Sequence, residues 1–141
     1  MRLFVPEIGT QFVLTERWNF QLYNEDRNRS LVEAWDLFTD PGYINAREAY
    51  RNNPRNRWSA RYTDGMLMHM IDYSWPVSLD VGTILKVDRI FIRKGMNDYS
   101  SLTFYVSHTT DPALSKVKKR RFWAKLSDCN QIECEVENEN S

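Results

Sequence analysis

The sequence predicts a mainly β fold of the α+β class, either a small antiparallel sheet or one curled into a β-barrel, with one or two short helices. Short segments rich in β-branched and aromatic residues recur, with turn signals about every ten residues. Only two segments have a helical period, and it is weak in both. The chain of 141 residues has the length of one domain, and we expect residues 1–141 to fold as one.

The first strands are expected in TQFVLTERWNFQLY, residues 10–23, as two short strands joined near Glu16 and Arg17 into a hairpin. Clearer strand patterns follow at residues 81–95 and 101–108, which should pair as a second hairpin. The strand at 81–95 has apolar residues on both faces, so it should be central or strongly curved. We expect Leu85, Val87 and Phe91 on one face of this strand and Ile84, Ile90 and Ile92 on the other.

Two more strands are predicted near the end of the chain, at RRFWAKL (residues 120–126) and QIECEV (residues 131–136). Side chains alternate along a strand, so RRFWAKL should place Phe122, Ala124 and Leu126 on one face. The other face would carry Arg121, Trp123 and Lys125. Residues 137–141 form an acidic tail that we expect to fray.

The helical segments lie between the first strands and residue 61. SLVEAWDLF, residues 30–38, has apolar residues at helical spacing, although a strand stays possible over nine residues. NAREAYRNN could form a short helix capped by Asn45, after the turn signal DPGY and before PRNRW. The Arg- and Asn-rich stretch 40–61 is interpreted as an insertion or long loop, the least core-like part of the chain.

The charges are sorted along the chain, although the formal net charge is zero. Residues 41–125 carry fifteen Lys and Arg against seven Asp and Glu, and both flanking segments are acidic. This asymmetry favours an anionic partner for the middle segment, unless the acidic ends fold back and neutralise it. The sequence has no secretory signal and no apolar stretch of membrane-spanning length, so we expect a cytoplasmic protein without a membrane partner.

The usual catalytic signatures are missing from the sequence. Its five glycines form neither a P-loop nor a dinucleotide fingerprint, and His69, His108, Cys129 and Cys134 lack zinc-ligand spacing. Neither histidine has a recognisable nucleophile partner. We therefore expect a protein that is not an enzyme, with no catalytic residues, no metal and no cofactor, and with two free thiols.

Three groups of candidate ligand-binding residues combine cations with aromatic rings or a mobile strand end. Arg121, Trp123 and Lys125 would share a strand face, taking phosphate on the cations and a base or sugar on the indole. Arg93 and Lys94 lie beside Gly95 at the end of a strand. The full candidate set is Arg57, Trp58, Arg61, Arg93, Lys94, Tyr105, Arg121, Trp123 and Lys125. The third group is the Arg-rich part of the insertion, in which Trp58 and Tyr62 are interleaved with Arg51, Arg55, Arg57 and Arg61. The alternative for the first group is a structural role on a solvated sheet face, and for the third a solvated loop.

The segments GTILKVDRIFIRKG, SSLTFYV and RRFWAKLSDCNQIECE resemble a group of small uncharacterised proteins encoded by bacteriophages and mobile elements. The resemblance covers roughly residues 80–136, and a weaker resemblance extends to FVPEIGTQFVLTERWNFQLY. It carries over no activity and no site residue. It implies a context in which small phage proteins act against host defence.

Three functions follow as hypotheses. The first is sequestration of a small anionic, nucleotide-derived immune signal by a non-enzymatic, homo-oligomeric binding protein in the host cytosol. The second is protein–protein inhibition of a host defence enzyme or complex, steered by the charge asymmetry. The third is direct nucleic-acid binding by the basic segment.

Overall fold

The computed structural model describes residues 7–56, 71–92 and 100–137, which form an α+β fold dominated by antiparallel sheet. The strands are β1 (Gln11–Leu14), β2 (Trp18–Tyr23), β3 (Ser74–Leu79), β4 (Ile84–Phe91), β5 (Ser101–His108), β6 (Arg121–Lys125) and β7 (Cys134–Val136). The α-helices are α1 (Arg29–Ala34), α2 (Pro41–Asn52), α3 (Pro112–Ser115) and α4 (Leu126–Cys129), with single 3-10 turns at Asp26–Asn28 and Leu37–Thr39.

Five strands form one sheet in the order β6-β5-β4-β1-β7, and β2 and β3 form a separate two-stranded sheet. The described strands do not close into a barrel, so the open-sheet form of the prediction is the one observed. The hairpin of β4 and β5 is confirmed, and β4 has a neighbour on both sides, as its two apolar faces required. No helix in the described ranges is long and apolar enough to cross a membrane.

The predicted hairpin of residues 10–23 is wrong, although both of its strands exist. β1 pairs with β4 and β7, whereas β2 leaves this sheet and pairs with β3. Strand β3 was not predicted, because Pro76 in its middle cannot donate to a ladder. Pro76 is tolerated because, among the described strands, β3 pairs with β2 alone and so lies at a sheet edge.

The two sheets pack through an aromatic cluster that supplies much of the core. Trp18 and Phe20 stack with centroids 4.1 Å apart, and Phe20 stacks on Phe122 at 5.3 Å. Phe104 lies 5.4 Å from Phe122 and 6.0 Å from Trp18. All four rings are buried, so the apolar face of β2 covers the inner face of β5 and β6.

Helix α1 begins near the predicted position but ends early. Asp36 takes a left-handed conformation, with φ of 55°, and the chain continues from there into the 3-10 turn. Leu31 and Val32 are buried, whereas Trp35 and Phe38 are only partly buried against the core. The helical interpretation of 30–38 therefore holds for its first half.

Helix α2 begins at Pro41 rather than at the predicted cap, Asn45. The Asp40 carboxylate accepts a hydrogen bond of 3.1 Å from the Tyr43 backbone N–H, which makes Asp40 the N-cap, and Pro41 takes the first helical position. The DPGY signal therefore marks a helix start, not a separate turn. Tyr43 is buried, so this end of the expected insertion belongs to the core.

Candidate ligand-binding face

The side of the five-stranded sheet that points away from the core carries a regular set of cationic and aromatic residues. The antiparallel register of β4, β5 and β6 aligns them in three rows that cross the strands. We call this surface the outer face. Its first row is Lys86, Tyr105 and Arg121, its second row is Arg89, Thr103 and Trp123, and its third row is Phe91, Ser101 and Lys125.

A β-bulge at Asp88 determines which residues of β4 reach the outer face. Val87 pairs with Phe104 and Arg89 pairs with Thr103, so Asp88 is an extra residue without a partner in the register. A bulge of this kind shifts the alternation of all later residues by one. The prediction that Phe91 shares a face with Leu85 and Val87 is therefore wrong: both of those are buried, whereas Phe91 is 54% exposed.

The first row holds the most accessible aromatic ring of β5. Tyr105 is 37% exposed and has Lys86 opposite it on β4 and Arg121 opposite it on β6. Paired residues on neighbouring strands have Cβ atoms about 5 Å apart, so the Lys86 and Arg121 positions flank that of Tyr105. A ring flanked by two cations can contact a base while the cations contact phosphate.

Arg121 is held in place by an ion pair but keeps an unsatisfied donor. Its Nη2 lies 3.2 Å from the Asp88 Oδ2, and its side chain is 29% exposed. Its Nε is buried and has no hydrogen-bond partner among the residues that the structure describes. The bulge thus supplies the carboxylate that orients the guanidinium of the first row.

The row Arg121, Trp123 and Lys125 lies on one face of β6, as the alternation predicted, but the Trp123 ring already has protein neighbours. The Tyr23 ring stacks on it with centroids 5.2 Å apart and planes 4° apart. Its Nε1–H donates to the Glu25 carboxylate. Arg27 places its guanidinium carbon 5.8 Å from the centroid of the Trp123 ring.

Lys125 also contacts the stack, since its Nζ lies 4.8 Å from the centroid of the Tyr23 ring. Lys125 and Trp123 therefore border the outer face on the side of β2. The open rings of the face are those of Tyr105 and Phe91, not the indole that the sequence favoured.

The other candidate residues lie outside the part of the chain that the structure describes. Arg57, Trp58 and Arg61 fall in 57–70, and Arg93 and Lys94 fall in 93–99, all outside the described residues. Sequence reasoning missed Lys86, Arg89 and Phe91. A signal for Lys86 was present, because it alternates with the buried Leu85 and Val87.

A second polar surface lies on the two-stranded sheet. A groove of about 400 Å³ is lined by Arg17, Asn19, Gln21, Ser78 and Asp128, among others. Arg17 donates a 2.7 Å hydrogen bond to the Ser78 hydroxyl, and Asp128 accepts one of 3.0 Å from the Gln21 backbone N–H. Most of these polar groups therefore serve to join β2, β3 and α4.

Nothing in the described ranges forms a group of three or more His, Cys, Asp and Glu side chains that could hold a metal ion. The chain matches no known protein family, no curated protein and no solved structure. The chemistry of the outer face therefore has to be argued from its own residues.

Proposed function

We propose that this protein is a non-enzymatic binding protein that sequesters a small anionic, nucleotide-derived signalling molecule on its outer face. The observation that carries the proposal is the first row, in which Tyr105 stands between Lys86 and Arg121. Cations select for phosphate, and an exposed ring adds stacking with a base. The phage context implied by the sequence resemblance makes a host immune signal in the cytosol the natural target.

The charge of the outer face agrees with an anionic ligand. It carries four cations, at Lys86, Arg89, Arg121 and Lys125. In the part of the chain that the structure describes, the carboxylates near them are each engaged with residues of the face: Asp88 with Arg121 and Arg89, and Glu25 with the Trp123 indole. The acidic residues of β7 lie away from the face, because β7 is at the opposite edge of the sheet from β6, whereas the N-terminal acidic segment contributes Glu25 to its border.

The test is isothermal titration calorimetry of the purified protein with a panel of linear and cyclic nucleotides. We expect binding that weakens about 5- to 150-fold in Tyr105→Ala, which corresponds to the loss of one stacked base. Lys119→Ala, which removes an exposed cation outside the outer face, is the matched control and should bind like the wild type. Recovery of the nucleotide unchanged after long incubation would support sequestration, and turnover would contradict it.

Inhibition of a host protein is the second candidate function. It is favoured by two exposed apolar side chains at the end of β4, Phe91 and Ile92, which are 54% and 57% exposed. Exposed apolar surface rimmed by charge is typical of protein interaction sites. A host defence protein that co-purifies with the wild type but not with Ile92→Ser, combined with no nucleotide binding, would favour this candidate. Light scattering of the purified protein tests the homo-oligomer that we propose with either function.

A further inference from the structure

We infer that the nucleotide-derived ligand of the outer face is a short, linear, single-stranded oligonucleotide with at least two bases, and this inference rests on the proposed function. It is carried by the position of two open aromatic rings, Tyr105 in the first row and Phe91 in the third. Phe91 pairs with Ser101, which precedes Tyr105 by four residues on β5. At about 3.4 Å per strand residue, the backbone positions of the two rows are offset by roughly 14 Å along the strands.

A single nucleotide cannot use both rings. Its one base can stack on Tyr105 or on Phe91, and the other ring and its neighbouring cation then stay unused. A strand with two or more bases can stack on both rings and run its phosphates over the cations between them. Arg89 lies in the second row, between the two rings along the strands; its side chain is 71% exposed, and its Nε lies 3.9 Å from the Asp88 Oδ2.

The middle of the face fits a bridging backbone better than a third base. Thr103 is only 2% exposed, so neighbouring side chains cover it and it offers no surface to a base, and Trp123 is stacked on Tyr23 and bonded to Glu25. The second row therefore offers a guanidinium but no free ring. We expect its neighbours Tyr105 and Phe91 to take the bases and Arg89 to take the phosphate that links them.

A single strand fits the outer face better than a duplex does. The faces of paired bases are stacked inside a duplex, so flat rings on an open sheet can reach only bases that are unstacked. The cations of a sheet face contact the backbone without reading sequence. We therefore expect little sequence preference and a strong dependence on salt.

The experiment measures binding of thymidine monophosphate and of unlabelled oligothymidylates of two, four and eight nucleotides, by calorimetry in low salt. A cyclic dinucleotide and a hairpin duplex complete the panel. We expect affinity to rise at least tenfold from the mononucleotide to the tetranucleotide and then to level off. With four cations on the face, the log–log slope of affinity against salt should reach at most about −3 for the single strands.

The variant pair Tyr105→Ala and Phe91→Ala identifies the two subsites. Each substitution should lower the affinity for the tetranucleotide about 5- to 150-fold, because each removes the ring on which one base stacks. Phe91→Ala should do so without changing the affinity for a mononucleotide that occupies the first row. Lys119→Ala is again the control, and circular dichroism with urea unfolding shows whether each variant is folded.

The outcomes separate the two proposals. Equal affinity for the mononucleotide and the tetranucleotide, tighter binding of the cyclic dinucleotide, or equal binding of the duplex would overturn the single-strand inference and leave the proposed function standing. Failure of every nucleotide and oligonucleotide to bind would remove both.

Discussion

The Tyr23 ring lies parallel to the Trp123 ring, with centroids 5.2 Å apart and planes 4° apart. Tyr23 ends β2 of the small sheet, and Trp123 is the middle residue of β6 at the edge of the large one. Stacking between them therefore joins the two sheets on the solvent side, while the cluster of Trp18, Phe20 and Phe122 joins them in the core. The same stack explains why Trp123 has a structural role in addition to its place at the border of the outer face.

Trp123→Ala should therefore destabilise the protein. It removes the stack on Tyr23, worth about 1 kcal/mol, and the charge-assisted hydrogen bond to Glu25, worth about 2 kcal/mol, so we expect a loss of about 3 kcal/mol in the free energy of unfolding. Trp123→Phe keeps a ring for the stack and should lose roughly the hydrogen bond alone. Urea unfolding measures both, and a Trp123→Ala protein as stable as the wild type would contradict the assignment.

Asn28 should be nearly irreplaceable, because both ends of its buried amide are bonded. Its Nδ2–H donates to the Tyr23 carbonyl at 2.9 Å, and its Oδ1 accepts from the Trp123 backbone N–H at 2.7 Å. Asn28→Ala would leave two partly buried backbone groups unpaired and should lower the free energy of unfolding, measured in urea, by about 2 to 4 kcal/mol.

Asn28→Asp provides a sharper, pH-dependent test of the same site. A carboxylate can accept from Trp123 but cannot donate to Tyr23, and the full burial of the site would raise the pKa of this carboxyl. A raised folded-state pKa favours the protonated form, so the variant should be most stable below the usual pKa of about 3.9 and lose stability as pH rises above it. Wild-type unfolding measured across the same pH range is the control. A variant whose difference from the wild type does not change with pH would argue against the buried bridge.

Gly42 should tolerate no side chain while Tyr73 keeps its hydroxyl. A Cβ at position 42 would collide with the Tyr73 Oη, which is held in place by a 3.1 Å hydrogen bond to Asp40. Gly42→Ala should cost about 1 to 3 kcal/mol of stability, although alanine is the better helix former. In a Tyr73→Phe background the collision is removed, and the same substitution should become neutral or stabilising. Additive losses in the double variant would show that the collision is not the cause.

The two cysteines should react only when the protein unfolds. Both are free and buried, and burial, with a further contribution from Asp128, raises the pKa of the Cys129 thiol well above its ordinary value. Burial raises the pKa of Cys134 as well. Only the thiolate is reactive, so Ellman's reagent at pH 8 should label neither thiol in the native protein and both in denaturant. Rapid labelling of the native protein would place at least one thiol outside the core.

The raised Cys129 pKa also predicts a pH dependence of stability. The unfolded thiol ionises near its ordinary pKa of about 8.5, whereas the folded thiol stays protonated, so stability is full below that pH and falls above it. Cys129→Ala removes this contribution. Between pH 8 and 10 the wild type should lose more stability than the variant does, and parallel losses would contradict the assignment.

The sequence predicted those parts of the fold that depend on local pattern. Alternation in β5 and β6 placed Leu102, Phe104 and Phe122 in the core and Arg121 and Trp123 on the opposite face, as observed. The pairing of β1 and β2 could not be predicted in this way, because partners distant in sequence decide it. The cap at Asp40 carried a local signal, Asp-Pro, that was interpreted as a turn.

The sequence predicts which candidate site residues share a face of one strand, but not which residues of neighbouring strands lie beside them. The row along β6 is visible in the sequence, whereas the rows across β4, β5 and β6 depend on register, and register depends on the bulge at Asp88. One extra residue moved Phe91 from the face of Leu85 and Val87, where the sequence predicted it, to the outer face. Trp123 contacts Tyr23 and Glu25, which lie about a hundred residues away along the chain. No local sequence pattern links these two residues to β6.

The buried amide of Asn28 also bears on the behaviour of the protein at high concentration. Unpaired strand edges are templates for intermolecular β-pairing and hence for aggregation. On β6 the Trp123 N–H is already bonded to Asn28, and β3 carries Pro76, which has no N–H to offer. The chain exposes several apolar residues, but these two strand edges are poor templates for fibril growth.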